Sequence, residues 1–128
     1  FVTGTSEGPT LGKEDMATLA YSTGTGAQLW VKRYDGPAKS DDNATAVAVN
    51  RDGTKVYVTG WSNGATSGHD LATIGYDATT GAPLWTARYT AAGQGNDEPR
   101  SLAVSPNGGT VFVVGGSEDG YLVLAYGG

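Results

Sequence analysis

A 55-residue internal repeat is the feature of this sequence that most constrains its fold. Residues 21–30 read YSTGTGAQLW and residues 76–85 read YDATTGAPLW, so Trp85 follows Trp30 by 55 positions. Other segments recur at the same spacing, such as AVAV at 46–49 and SLAV at 101–104. A repeat of this length indicates that each copy is one supersecondary unit that buries its apolar face against a neighbouring copy.

Each copy contains four short apolar or alternating runs, which predict four β-strands. Two connections, NRDGT at 50–54 and SPNGG at 105–109, are predicted tight hairpin turns, because Asp-Gly and Asn-Gly supply the positive φ that such turns need. No long segment has the 3.6-residue apolar period of a helix. The sequence therefore predicts an all-β chain of ten strands: three strands of one unit, a complete four-stranded unit, and three strands of the next.

The connections at 22–26 and 77–81 are similarly compact and end in Gly. Four further connections are longer and differ between the copies. They span residues 6–14, 35–44, 62–69 and 90–99. Because consecutive antiparallel strands alternate in direction, all of these variable connections are predicted at one edge of the molecule and the tight turns at the opposite edge. Binding residues are often carried by variable loops on a rigid scaffold.

Four-stranded antiparallel units repeated at this length are typical of a β-propeller. The stretch around Thr80-Gly81 and Trp85, with Asp77 before it, resembles the tryptophan-docking repeat of propellers of the pyrroloquinoline quinone (PQQ) type, although Gly75 stands where that family prefers Ala. The first copy carries the same motif as Ala20, Thr25, Gly26 and Trp30, with Ser22 where Asp is usual. The whole chain is also similar to bacterial beta-propeller repeat proteins.

The resemblance implies about two and a half propeller blades of four antiparallel strands. Residues 1–44 would form an incomplete blade and a crossover, residues 45–89 a complete blade, and residues 90–128 a crossover and a second incomplete blade. The expected partners are the other blades of a longer chain, or a second copy that closes the ring. Trp30 and Trp85 recur, so they are interpreted as packing between blades rather than as a platform for ligand stacking.

Residues that differ between the copies at the variable edge are the better functional candidates. They are Trp61, His69, Glu98 and Arg100. Trp61 stands where the other copies have Thr5 and Gly116. His69 replaces Glu14, Glu98 replaces Asn43, and Arg100 replaces Thr45. Trp and Arg are favoured at recognition sites, and we assign these four residues to ligand binding. The alternatives are a Trp61 side chain that only covers a neighbouring blade and a His69 that is a solvated loop residue. For His69, a solvated loop position is favoured over a role as general base, which would need an ordered partner and a nucleophile within reach.

Recurring aspartates allow two interpretations. Asp15 recurs as Asp70, and Asp42 recurs as Asp97. Metal ligation is one interpretation, but hydrogen bonding to loop amides is favoured because Asp commonly does this in turns. The acidic run 41–43 could supply oxygen ligands to Ca²⁺, yet it lacks the calcium-loop pattern, so a solvated turn is favoured. We predict no catalytic residue, no metal site and no cofactor.

The predicted function is a non-catalytic propeller scaffold or a module that binds a carbohydrate or protein ligand. The alternative is part of a PQQ-dependent quinoprotein dehydrogenase. Lys and Arg total only 8 residues and are scattered, and the net charge is −5, which argues against a nucleic-acid partner. No 18-residue apolar run is present, so no membrane span is expected. The richness in Gly, Thr and Ser favours an extracellular or periplasmic bacterial protein.

Overall fold

The protein folds into ten β-strands in a computed structural model that describes residues 1–9 and 11–128. Across these residues there is no helix that is long and apolar enough to cross a membrane. The strands are β1 (Val2–Glu7), β2 (Glu14–Tyr21), β3 (Gln28–Tyr34), β4 (Asp42–Val49), β5 (Lys55–Asn63), β6 (His69–Asp77), β7 (Pro83–Tyr89), β8 (Glu98–Val104), β9 (Thr110–Ser117) and β10 (Gly120–Gly127).

The strands form three antiparallel sheets, which confirms the predicted all-β class and the grouping into three, four and three strands. The first sheet is β1-β2-β3, the second is β4-β5-β6-β7 and the third is β8-β9-β10. Because neighbours in sequence are neighbours in each sheet, the connections alternate between two edges. We call the edge with residues 35–41, 64–68, 90–97 and 118–119 the loop edge, and the edge with residues 22–27, 50–54, 78–82 and 105–109 the turn edge.

The repeat extends to the irregularities of the sheets. The pairing of β4 with β5 skips Thr45, and the pairing of β8 with β9 skips Arg100, so equivalent residues are the extra residues of two β-bulges. Gly60 lies opposite the first bulge, and a Cβ atom there would collide with the backbone carbonyl of Asn43. The recurrence of this glycine therefore follows from the close approach of the bulged strand.

The second sheet is buried on both faces, because side chains alternate along its strands. Val56 and Val58 face the first sheet and pack with Met16, whereas Tyr57 faces the third sheet and packs with Val111. All of these side chains are at most 1% exposed. Two apolar layers therefore hold the three sheets together face to face.

The recurring tryptophans pack between the sheets, as predicted. The indole Nε1 of Trp30 donates a hydrogen bond of 3.0 Å to the carbonyl of Ala78 in the second sheet. A Cβ atom at Gly81 would lie 2.7 Å from the same indole ring. Trp85 lies 5.9 Å from the ring of Tyr57 and 5.7 Å from that of Tyr126 in β10.

Candidate functional site

The loop edge between the second and third sheets is held together by backbone hydrogen bonds. The amide of Asp97 donates to the carbonyl of His69 over 2.7 Å, and the amide of Gly68 donates to the carbonyl of Gln94 over 2.9 Å. The amide of His69 donates to Asn96 Oδ1 at 3.0 Å. These bonds join the β5–β6 loop to the crossover before β8, and they bring the start of β6 beside the start of β8.

Trp61 and His69 form an aromatic stack at this edge. Their ring centroids are 3.9 Å apart and their planes are inclined by only 10°. The register places Trp61 opposite Leu71 and Asn63 opposite His69, so all four side chains lie on the face of the second sheet that packs against the third. The register of the β5–β6 hairpin therefore brings the Trp61 and His69 rings together, on the face of the second sheet that packs against the third sheet.

Glu98, the first residue of β8, extends this stack with a carboxylate. His69 Nδ1 donates to Glu98 Oε1 over 3.0 Å, since a carboxylate can only accept. The His69 side chain is 27% exposed, and its ring contacts both Trp61 and Glu98. Within the described part of the chain, the His69 ring hydrogen-bonds only to Glu98, and no Ser, Thr, Tyr or Lys side chain joins the pair. The arrangement orients a ring and presents polar atoms, and it lacks a paired nucleophile.

Arg100 and Glu98 border a groove of about 320 Å³ next to the stack. The groove is lined by Asn96, Glu98, Arg100, Gly116, Ser117 and Glu118. Arg100 is exposed, and none of the described residues forms a hydrogen bond or ion pair with its guanidinium. The groove has the volume of a small-ligand pocket, whose usual range begins at about 300 Å³. The four residues chosen from sequence therefore lie at one edge, and three of them contact one another in series.

A larger groove of about 470 Å³ lies on the turn edge, between the β4–β5 and β8–β9 turns. Several of its polar atoms are engaged within the turns: Asn50 Oδ1 accepts from the Lys55 amide at 2.9 Å, and Asn107 Oδ1 accepts from the Gly109 amide at 3.0 Å. Asp52 Oδ1 likewise accepts from the amide and hydroxyl of Thr54. Because the Trp61–His69 stack and the exposed Arg100 lie at the loop edge, we place the candidate site there.

Asp42 and Asp97 hold the crossover connections, which confirms the predicted bonding to loop amides. Asp42 Oδ2 accepts from the Gly36 amide at 2.6 Å, and Asp97 Oδ2 accepts from the Ala91 amide at 2.7 Å. The two bonds are equivalent in the repeat. Asp42 is only 1% exposed, so the interpretation of residues 41–43 as a solvated turn is wrong for this residue.

Asp70 differs from that prediction because its partners are side chains. Its carboxylate accepts from Ser67 Oγ at 2.7 Å and from Arg88 Nη2 at 2.7 Å. Arg88 also donates to Ser62 Oγ at 2.6 Å and to the hydroxyl of Tyr34 in the first sheet at 2.9 Å. Burial raises the pKa of Asp70, but the hydrogen bonds from Ser67 and Arg88 outweigh burial and hold the pKa below its usual value.

Several residues of the groove were not chosen from the sequence. Asn96 replaces Asp41 of the first copy, so the comparison of copies could have found it. Ser117 and Glu118 lie beside the short β9–β10 connection, which has no counterpart of equal length in the other copies. Comparison of the copies therefore could not have identified these two residues as candidates.

Neither a scan against protein-family models nor a search of curated proteins found a match for this chain. The geometry of the loop edge is therefore the basis on which a function can be assigned.

Proposed function

We propose that this chain is a segment of a β-propeller that binds a carbohydrate at its loop edge and carries out no chemistry of its own. The propeller part of the proposal is supported by the three antiparallel sheets, by the equivalent bulges, and by the face-to-face packing of successive sheets. Each sheet would be one blade or part of a blade. The pseudo-repeat of 55 residues is long enough for four short strands and their connections.

The contact series Trp61–His69–Glu98 is the observation that carries the binding proposal. A buried carboxylate–histidine pair would serve the fold, but Glu98 is half exposed and its partner His69 is partly exposed. Surface ion pairs of this kind contribute only about 0–1 kcal/mol to stability. The pair therefore has little structural value, and its effect is to fix the plane of the ring on which Trp61 stacks.

A carbohydrate suits this surface because it presents both hydroxyl groups and apolar C–H faces. The Trp61 indole offers an aromatic surface and an N–H donor. The side-chain NH₂ of Asn96 and the hydroxyl of Ser117 offer neutral hydrogen-bonding groups, and Arg100 offers a guanidinium that donates to hydroxyls or carboxylates in a fixed plane. The groove volume of about 320 Å³ fits one or two sugar rings better than a folded protein segment.

A glycan array tests the proposal when it is probed with the wild-type chain, with Trp61→Ala and with Tyr21→Ala. Tyr21 is the matched control, because it is an aromatic residue 44% exposed at the start of a turn-edge connection. We expect a glycan signal that Trp61→Ala abolishes and Tyr21→Ala retains. Absence of any wild-type signal, or equal loss in both variants, would refute a carbohydrate site at Trp61.

A titration with PQQ in the presence of Ca²⁺, followed by absorbance, distinguishes the quinoprotein dehydrogenase from the proposed binding module. Our proposal predicts no change in the PQQ spectrum beyond simple mixing and no dye-coupled oxidation of alcohols or sugars. A saturable spectral change together with such oxidation would replace the binding module by the dehydrogenase.

A further inference from the structure

Three carboxylates converge between the first sheet and the crossover into the second. Asp15 is in β2, Asp35 follows β3, and Asp42 is the first residue of β4. One carboxylate oxygen from each lies within 4.8 Å of the other two. Asp15 is 2% exposed and Asp42 is 1% exposed, whereas the side chain of Asp35 is 27% exposed. Two of the three charges are therefore removed from water, and the third lies at the surface.

The Asp15 carboxylate lacks a partner at this position. Among the described residues, nothing forms a hydrogen bond with its buried Oδ2 atom. A buried carboxylate without a partner is costly to the fold, because an ionised group loses its hydration on burial. Burial and the charge of Asp35 both raise the pKa of Asp15. Burial likewise raises the pKa of Asp42, against hydrogen bonds from Ser62 and Gly36.

The second copy of the repeat shows how the same position is neutralised without an ion. Asp70 replaces Asp15, and it accepts from Arg88 at 2.7 Å. Thr90 replaces Asp35, so only two carboxylates remain in that copy. In the first copy Arg33, the equivalent of Arg88, instead donates to the carbonyl of Glu7 at 3.0 Å. The first copy thus has one more carboxylate and no arginine bonded to Asp15.

We propose that Asp15, Asp35 and Asp42 bind a Ca²⁺ ion at the loop edge between the first and second sheets. Hard divalent cations take carboxylate oxygens as ligands, and Ca²⁺ binds them at about 2.3–2.6 Å. Three ligand oxygens spread evenly around one Ca²⁺ are about 4.0–4.5 Å apart, so oxygens that lie within 4.8 Å of one another can reach one ion through small side-chain adjustments. Mg²⁺ would require the oxygens to approach to about 3.5–3.6 Å.

The approach to the site is from the surface at Asp35. Lys39 Nζ lies 3.1 Å from Asp35 Oδ2, but its side chain is 68% exposed. Such an exposed pair is worth about 0–1 kcal/mol, so a divalent cation can displace the ammonium. Glu7, Glu14 and Asp41 line an adjoining groove of about 300 Å³ together with Lys13 and Gly12, and their charge attracts a cation toward this edge. The other nearby cations are Arg33 and Arg88.

The test is calorimetric titration of the metal-stripped chain with Ca²⁺, with thermal unfolding as a second readout. We expect one Ca²⁺ per chain with a Kd at or below the range of about 10⁻⁴–10⁻³ M found for extracellular calcium modules. The Tm should rise by about 4 °C or more at about 10 mM Ca²⁺. The same concentration of Mg²⁺ should give less than about half of that rise, because Mg²⁺ tolerates less deviation from ideal geometry.

Asp35→Thr is the informative variant, because it removes one ligand by introducing the residue that the second copy carries. Asp119→Asn is the matched control, with the same change in net charge in the β9–β10 turn of the third sheet. We expect Asp35→Thr to fold, to lose both the heat of Ca²⁺ binding and the Tm rise, and to match or exceed the wild-type Tm without metal. No Ca²⁺ heat with wild type, an unchanged response in Asp35→Thr, or an equal loss in Asp119→Asn would overturn the site. An equal response to Mg²⁺ would overturn its assignment to Ca²⁺.

Discussion

The indole Nε1 of Trp30 and the carbonyl of Ala78 form a 3.0 Å hydrogen bond that joins the first sheet to the turn of the second. Trp30 is 8% exposed, and its ring lies 6.3 Å from the ring of Tyr76. The recurring tryptophan is therefore a structural contact between consecutive units. This is why the candidate site is formed by residues that differ between the copies rather than by those that recur.

Loss of this hydrogen bond should lower stability without changing the site. Trp30→Phe keeps an aromatic ring but leaves the Ala78 carbonyl without its donor. We expect the free energy of unfolding to fall by about 1–3 kcal/mol, measured by urea unfolding. Trp61→Phe serves as the control and should cost less than about 1 kcal/mol, because Trp61 is partly exposed and no sheet-to-sheet hydrogen bond depends on it. Equal costs for the two variants would contradict the assigned roles.

Arg88 should be far more important to the fold than its repeat equivalent Arg33. Arg88→Leu leaves the Asp70 carboxylate, whose side chain is 7% exposed, without its charged partner. We expect a loss of about 3 kcal/mol, the lower end for a broken buried pair. Arg33→Leu removes a bond to the Glu7 carbonyl and a positive charge near Asp15 that is not hydrogen-bonded to it, and it should cost about 1 kcal/mol or less. Comparable losses in the two variants would contradict this account.

The advantage of wild type over Arg88→Leu should depend on pH. In wild type the pKa of Asp70 lies below 3.8, so the ionised carboxylate stabilises the folded state above that value, and this stabilisation is lost as the pH falls through the folded-state pKa. In the variant, the lowering of the Asp70 pKa by Arg88 is lost, and burial is opposed mainly by the hydrogen bond from Ser67. Urea unfolding at several pH values should therefore show the difference between the proteins shrinking below about pH 4. A difference independent of pH would refute the ion pair as its cause.

The recurring glycine opposite the bulge should tolerate no side chain. In Gly60→Ala the new Cβ atom would collide with the Asn43 carbonyl, so β4 or β5 must shift. We expect a loss of about 1–3 kcal/mol in the free energy of unfolding. Gly4 is the equivalent residue in the first sheet, where a Cβ atom would have no neighbour within 4 Å. Gly4→Ala should be neutral or stabilising, and a large loss there would show that the bulge is not the cause.

Glu98 should control the environment of Trp61 through His69. In Glu98→Ala the His69 ring loses the hydrogen bond that orients it, so the stack with Trp61 loosens. We expect the indole N–H signal of Trp61 in a ¹H–¹⁵N correlation spectrum to move. Glu118→Ala is the matched control, because Glu118 lines the same groove, whereas the carboxylate bonded to the His69 ring is that of Glu98. If both variants leave the signal in place, or both move it equally, Glu98 does not position the stack.

The strand number, the grouping into three sheets and the two edges could be predicted, because the repeat, the turn glycines and the two-residue alternation are local features of the sequence. The choice of Trp61, His69, Glu98 and Arg100 came from differences between copies. Their contacts could not be predicted, because the His69–Glu98 bond joins residues 29 positions apart through the packing of two sheets.

The buried charges were the least predictable part. Asp15 and Asp70 are equivalent in sequence, yet only Asp70 is bonded to an arginine. The difference depends on where Arg33 and Arg88 point, and no local pattern encodes it. Burial of Asp42 likewise depends on the crossover that folds back over it through Gly36.

The most direct test of the binding account is a ¹H–¹⁵N spectrum of the chain titrated with a pool of neutral, acidic and amino monosaccharides at high millimolar concentration. Binding at the loop edge predicts that the signals of the Trp61 indole, the Asn96 side-chain amide and the Arg100 backbone amide move together. The side-chain amides of Asn50 and Asn107 at the turn edge should stay in place. Movement at Asn50 and Asn107 instead, or no movement at any of these signals, would contradict a carbohydrate site at Trp61.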